Sequence, residues 1–335
     1  MGWPRGRTRC QNSPKKIMNV SVVIPTYNEE LAIAENVKKV IAALESSGKT
    51  WELILVNDGS KDQTLSIIQA LAAKERRLCV VSYPVNRGRG YALRRGFAAA
   101  QGDYIIATES DLNWGSEIIG AFIRKLDEGD ADLVIASPHM PGGRMENVPF
   151  LRWLLSYLGN KVFALAFPGR MTMSTGMTRA YRREVLESMD LEADDKELHI
   201  EILSKAFDLG YRIVEIPATL RWKLAKPGAP VRKSSFKMGS IIKHLVVSVD
   251  VQPYLFFGGL GFLFILVGAL LGLYLLWLSL SGVGVAGRPA LFASVLFIVV
   301  GIQILIFGFL ASQNRELKRQ FIRTQKLIKE TTKQK

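Results

Sequence analysis

The sequence predicts an α/β fold with a mostly parallel sheet, joined to a C-terminal pair of membrane-spanning helices. Three observations carry this. Short β-branched runs alternate with helical periodicity from Val20 to Pro138, polar residues follow the ends of four of those runs, and two long stretches near the C-terminus carry no charge. Alternation of strand and helix is the pattern of a parallel sheet covered by helices.

The elements follow in order. VSVVIPT, ended by proline, reads as a buried strand. LAIAENVKKVIAALESS has apolar residues at helical spacing and acids in its first turn. WELILVND is the second strand, and SKDQTLSIIQALAAKE the second helix, with Ser60 as the expected cap. LCVVSYP is the third strand, and GYALRRGFAAAQG a helix stopped at Gly102. DYIIATES is the fourth strand, SEIIGAFIRKLDEG the next helix and DLVIASP the fifth strand. Ligands of such sheets bind outside the carboxyl ends of the strands. Tyr27, Asn28 and Glu29, then Asn57 and Asp58, then Asn86 and Arg87, then Glu109, Asp111 and Asn113 occupy those ends.

Residues 254–280 and 290–312 exceed the ~20 apolar residues needed to cross hydrocarbon. The link between them, SGVGVAGRP, has one arginine, while the outer flanks are rich in Lys and Arg. By the positive-inside rule the N-terminal domain and the C-terminal tail are cytoplasmic. The net charge of +14 is concentrated at these flanks, which assigns it to a membrane surface. No zinc-finger spacing, RNP-like stretch or basic helix with interleaved aromatics points to nucleic acid. Segments 148–169 and 236–250 read as amphipathic helices lying at the membrane surface. The expected organisation is a basic leader (1–17), a catalytic domain (18–235), an interfacial segment (236–252), a transmembrane hairpin (253–312) and a basic tail (313–335). Cys10 and Cys79 are far apart and form no disulfide framework or CxxC metal spacing, which suggests a reducing compartment.

Two carboxylates at i and i+2 on extended chain point to one side. Glu109 and Asp111 therefore suit one hard divalent cation, Mg²⁺ or Mn²⁺, with Asn113 adding an amide oxygen. NRGRGYALRRG places backbone amides and arginines, Arg87 among them, near a helix start, which suits phosphate. It is neither GxGxxG nor a Walker A loop, so the expected ligand is a metal-bound diphosphate held by neither common nucleotide motif.

VVIPTYNEE, LVNDGSKDQT, NRGRGYALRRGFAAAQGDYIIATESDL, STGMTRAYRREVLE and GYRIVEIPATLRW, in this order, resemble the family 2 inverting glycosyltransferases, and within them the dolichol-phosphate mannose synthase branch. The resemblance covers roughly residues 18–245. It implies a GT-A-like nucleotide-sugar-binding sheet and transfer of one sugar, with inversion, from a GDP- or UDP-linked donor to polyprenyl phosphate. It also implies roles. Pro25, Tyr27 and Glu29 match the loop that holds the nucleotide, Asp58 the acid that contacts the nucleoside, and Asn57 replaces that acid's neighbour. Glu109, Asp111 and Asn113 fall on the DxDxQ metal site, with Asp111 central to catalysis. Arg152 and Ser156 match an RxxxS pattern near the acceptor phosphate, and Ser174 and Gly176 a segment beside the sugar. Arg232, Lys233 and Lys237 match a basic loop that meets donor or acceptor phosphates.

Three positions depart from the branch pattern. Glu109 replaces an aspartate, Asn113 a glutamine, and Pro138 an arginine that binds donor phosphate, for which Arg144 or a residue of 87–95 is the expected substitute. The alternatives are a transferase acting on a lipid or glycan hydroxyl, with Asp194 or Asp195 as base, or an inactive membrane-bound scaffold. ATLRW lacks the glutamine of the processive synthases' QxxRW.

Overall fold

The computed structural model describes residues 19–150, 154, 171–173, 176–222, 253–285 and 288–333. The chain divides into two compact units, one of residues up to Ser234 together with Lys326–Lys335, the other Ser235–Gln325.

The first unit is built on a seven-stranded sheet. Its strands are β1 (Val20–Thr26), β2 (Trp51–Asp58), β3 (Leu78–Tyr83), β4 (Tyr104–Ala107), β5 (Leu133–Ser137), β7 (Arg179–Arg182) and β8 (Ile213–Pro217), in the order β3-β2-β1-β4-β7-β5-β8. All neighbours run parallel except β7, which lies antiparallel between β4 and β5. Helices α1 (Ile33–Glu45), α2 (Thr64–Lys74), α3 (Arg89–Ala99) and α4 (Glu117–Asp127) are the connections between the early strands. Short α5 (Arg183–Glu187) and α6 (Leu198–Asp208) follow β7. A separate ribbon pairs β6 (Arg144–Glu146) with β9 (Thr219–Arg221). The apolar runs of β1 and β2 are almost wholly buried, as strands covered on both faces must be.

Local signals were misleading at two points. Ser60 does not cap α2, which begins at Thr64; its hydroxyl instead accepts the Asn28 N–H at 3.1 Å. Gly102 is not the stop of α3, which ends at Ala99; it is needed because a Cβ there would lie 2.5 Å from Ser21 N. The two proposed interfacial segments lie almost entirely outside the described residues, as does the 1–17 leader.

At the end of the sheet away from the strand C-termini, Asp132 receives the Arg212 guanidinium at 2.8 Å and the Arg212 N–H at 2.9 Å. The Arg212 hydrogen bonds hold its carboxyl below the usual range. A depressed folded pKa contributes stability above the unfolded value, and that contribution is lost as pH falls through the folded one. Asp132→Asn is therefore expected to lower Tm at pH 7, with the difference from the parent narrowing below about pH 4. A gap that stays constant from pH 7 to pH 3 would contradict this.

The second unit holds α7 (Pro253–Leu280) and, up to Gln325, α8 (Pro289–Lys333). Both contain stretches long and apolar enough to cross a membrane, Phe256–Leu280 and Pro289–Phe321. They meet through small residues. A Cβ on Gly261 would lie 2.8 Å from the Gly301 carbonyl oxygen, and Ser294 Oγ donates to the Gly268 carbonyl at 2.9 Å. Small side chains let helix backbones approach where hydrocarbon offers no hydrophobic drive. α8 does not end where the apolar stretch does but continues through the basic residues to Lys333.

Candidate active site

The loop after β1 turns at Asn28, whose φ is +53°, a conformation asparagine tolerates well. It is stitched to the loop after β2. Lys61 N–H donates to Asn28 Oδ1 at 2.9 Å, and Glu29 N–H donates to Thr64 Oγ1 at 2.8 Å. Pro25, Tyr27 and Glu29 are thereby presented on the rim of a cavity of about 420 Å³.

Asp58 ends β2, 4% exposed, and also lines the cavity. Its Oδ1 accepts Arg87 N–H at 2.7 Å and its Oδ2 accepts Gly88 N–H at 3.1 Å. Burial raises its pKa, and these backbone donors oppose the shift. Asn57 lies beneath the cavity rather than in its lining. Its Nδ2–H donates to Ser82 Oγ at 3.0 Å, and its Oδ1 accepts Ser60 N–H at 3.3 Å.

Three amides at the approach to and start of α3 are already in use. Arg87 and Gly88 donate to Asp58, and Tyr91 N–H donates to the Asp194 carbonyl at 3.0 Å. Arg87 stacks its guanidinium on the Tyr91 ring, 4.6 Å from the centroid, and is not in the lining. Arg89 is the arginine of this segment that lines the cavity, 3.7 Å from Glu109. Arg144, on the exposed ribbon, does not line the cavity.

The glycines of Gly88-Arg89-Gly90 fit this helix start against a later turn. A Cβ on Gly88 would lie 2.6 Å from the Asp194 carbonyl oxygen, and one on Gly90 2.5 Å from that of Asp195. Arg94 closes the contact by pairing with the Asp194 carboxylate and donating to Leu191 O. Asp194 is thus neutralised, whereas Asp195 faces the cavity. Sequence reasoning weighed Asp195 only as a base; the repeated glycine of GRG was the signal of a close backbone approach.

β4 stops at Ala107, three residues before the expected end, and Glu109 and Asp111 lie in a turn, not on extended chain. Leu112 takes φ +50°, and its N–H donates to Glu109 O at 3.3 Å. The turn still delivers both acids to the lining. Asn113 does not line the cavity. Its Nδ2–H donates to Asp111 Oδ2 at 2.7 Å, so it orients that carboxylate, while its own Oδ1 is buried without a hydrogen-bond partner.

Glu29, Asp58, Glu109, Asp111 and Asp195 face a single lining cation, Arg89, among the described residues. Oxygen donors of this kind fit a hard divalent cation. No group of three His, Cys, Asp or Glu side chains is placed to hold one among the described residues, so a cation bound here would need further oxygen ligands beyond these side chains. The carbonyl of Gly176 accepts Arg179 Nε–H at 2.7 Å, and fully buried Arg179 also donates to His199 O at 2.7 Å, anchoring the strand that brings Met177 to the lining. His199 is buried, and burial holds its pKa well below the usual value; no histidine lines the cavity among the described residues. Arg152, Ser156, Ser174, Arg232, Lys233 and Lys237 lie outside the described residues.

The family model described as "Glycosyl transferase family 2" matches residues 21–190. The chain belongs to this family. It is a glycosyltransferase with the GT-A-like fold. Undecaprenyl-phosphate 4-deoxy-4-formamido-L-arabinose transferase of Shewanella sediminis is 31% identical over 296 residues, covering 87% of this chain and 85% of that one. Dolichol-phosphate mannosyltransferase of Pyrococcus furiosus is 33% identical over 204 residues, covering 60% of this chain and 56% of the relative. Among solved structures, glucosyl-3-phosphoglycerate synthase of Mycobacterium tuberculosis superposes with a TM-score of 0.52 at 24% identity, covering 69% of this chain and 79% of that one, a likeness of fold.

Proposed function

We propose that this transferase moves one sugar, with inversion, from a nucleotide-sugar donor to a polyprenyl phosphate at a membrane. The observation that carries the reading is the pair Glu109 and Asp111, turned into a cavity beside Arg89 at the carboxyl ends of the strands. The names of the two relatives supply the acceptor class.

A divalent cation, Mg²⁺ or Mn²⁺, held by Glu109 and Asp111 supplies charge neutralisation for the departing nucleoside diphosphate. The chain's own residues do the rest. Tyr27, Glu29 and Asp58 hold the nucleoside of a GDP- or UDP-linked donor, Asn113 fixes the rotamer of Asp111, and Arg89 meets phosphate oxygens. Arg152, Arg232, Lys233 and Lys237 take the acceptor and donor phosphates, and Ser174 and Gly176 flank the sugar. A lipid phosphate oxygen is anionic at neutral pH and needs no general base, in keeping with a cavity lining without histidine among the described residues. Rate enhancement then comes from positioning and electrostatics. Direct displacement from the face opposite the leaving group inverts the anomeric centre. α7 and the apolar part of α8 cross the membrane, with the catalytic unit and the basic end of α8 on the cytoplasmic side.

Asp195 favours a second reading, in which it serves as base for a hydroxyl acceptor, because it faces the cavity while its neighbour Asp194 is paired with Arg94. Transfer of labelled sugar from a panel of nucleotide donors, with and without EDTA, separates the two. The polyprenyl phosphate reading expects organic-extractable label that is abolished by EDTA and reduced less than about tenfold by Asp195→Asn. General-base removal costs about 10²–10⁴-fold, so a loss in that range with label on a hydroxyl acceptor would replace it.

A further inference from the structure

Gln303 lies near the middle of the apolar part of α8, where an amide has no water to bond. It is exposed, on the side of the helix away from Gly301, whose absent Cβ leaves room for α7. A glutamine facing hydrocarbon leaves one donor group and one acceptor unsatisfied. It is part of a longer pattern. Leu296, Val299, Gln303, Ile306 and Leu310 recur at alternating steps of three and four, and all are exposed. The same steps continue beyond the apolar stretch through Gln313, Leu317, Gln320 and Thr324, also exposed. Leu317 is 64% exposed there, on a helix segment otherwise rich in Arg and Lys. A sustained 3.5-residue repeat is the seam of a left-handed helix pair.

Resting on the membrane-spanning reading above, we propose that this face of α8 pairs in parallel with the same face of a second copy of the chain, with Gln303 opposite Gln303. The occupant follows from the chemistry. A primary amide is self-complementary, and a second copy in the same membrane orientation brings an identical amide to the same depth. The charges agree. Arg315, Lys318 and Arg319 fall outside the positions that flank such a seam, which Asn314, Glu316 and Phe321 occupy. Opposed cations are thereby avoided. Pairing also covers Leu317 and supports a helix segment that, alone in water, would be marginal.

The test uses the full-length chain in native membranes, with Gln303→Cys, Ile306→Cys and Leu310→Cys made singly, beside Ile304→Cys and Leu305→Cys, and with Cys10→Ser and Cys79→Ser in every variant. Oxidation is expected to give a covalent species of twice the chain mass at 303, 306 and 310, and little at 304 and 305. Adding Gln303→Leu to the Leu310→Cys chain is expected to weaken association about three- to thirty-fold. Uniform cross-linking, none, or adducts of another mass would overturn the proposal, and undiminished association in the leucine variant would overturn the role of the amide. Alkaline carbonate extraction of the same membranes separates the two readings. Release of the chain means that the membrane-spanning reading has failed, whereas a retained chain without the 303-centred pattern means that the pairing alone has failed.

Discussion

Asp111→Ala should reduce sugar transfer about 10³-fold or more, the scale of losing a preorganised group that stabilises leaving-group charge. Five carboxylates line the cavity against Arg89, so a donor diphosphate entering without a neutralising cation meets like charge. Asp111 sits in the turn that follows β4, and its carboxylate is braced by Asn113 through the backbone N–H at 3.3 Å and Nδ2–H at 2.7 Å. Truncation leaves those part-buried donors without their acceptor, a cost of about 1–3 kcal/mol. The unit should still fold, with the loss concentrated in turnover. Asn113→Ala should cost about 10–100-fold, the usual effect of removing a group that orients a metal-binding carboxylate. Turnover across a Mn²⁺ titration, read beside thermal melts, checks both. An Asp111→Ala enzyme within tenfold of the parent, or an Asn113→Ala effect as large as that of Asp111→Ala, would refute the assignment of roles.

Gly90→Ala should destabilise the catalytic unit by about 2–3 kcal/mol, even though alanine is favoured over glycine in helices by about 1 kcal/mol. The reason is the nature of the obstacle. The new Cβ would meet Asp195 O at 2.5 Å, Asp194 C at 2.7 Å and Asp195 N at 2.8 Å, all of them backbone atoms that no rotamer change can move. Either α3 or the 194–195 turn must shift, and both position cavity residues, Arg89 and Asp195. Activity should therefore fall along with stability. Gly120→Ala on α4 is the control. Among the described residues its only near neighbour is the flexible tip of Arg124 at 3.4 Å, so helix propensity should prevail and stability should be unchanged or rise by up to about 1 kcal/mol. Denaturant melts of both variants decide the matter. Equal midpoints for Gly90→Ala and the parent would show that the turn yields freely.

The alternation of strands and helices through β5, the strand ends that carry Pro25, Tyr27, Glu29, Asp58, Glu109 and Asp111, and the apolar character of α7 and α8 were legible in the sequence. Burial on both faces writes a continuous apolar run into a parallel strand, and a ligand site at strand ends writes polar residues directly after it. Those are short-range signals. The antiparallel insertion of β7 between β4 and β5 was not legible, since its four residues carry no periodicity that separates parallel from antiparallel pairing.

The same distinction divides the site. Residue chemistry by itself determined that acids follow β4 and that a cation and a phosphate-bearing ligand suit them. Tertiary structure decided which groups meet. It spent the Arg87 and Gly88 amides on Asp58 and the Tyr91 amide on Asp194, turned Arg87 onto Tyr91 and Arg89 toward Glu109, set Asn113 behind Asp111, and brought Asp195 across to the cavity. Each outcome depends on backbone groups far apart in the chain coming close enough to exclude a methyl group or exchange a hydrogen bond. Residue type and spacing encode which face of an element is buried, whereas such contacts arise only once the elements have packed.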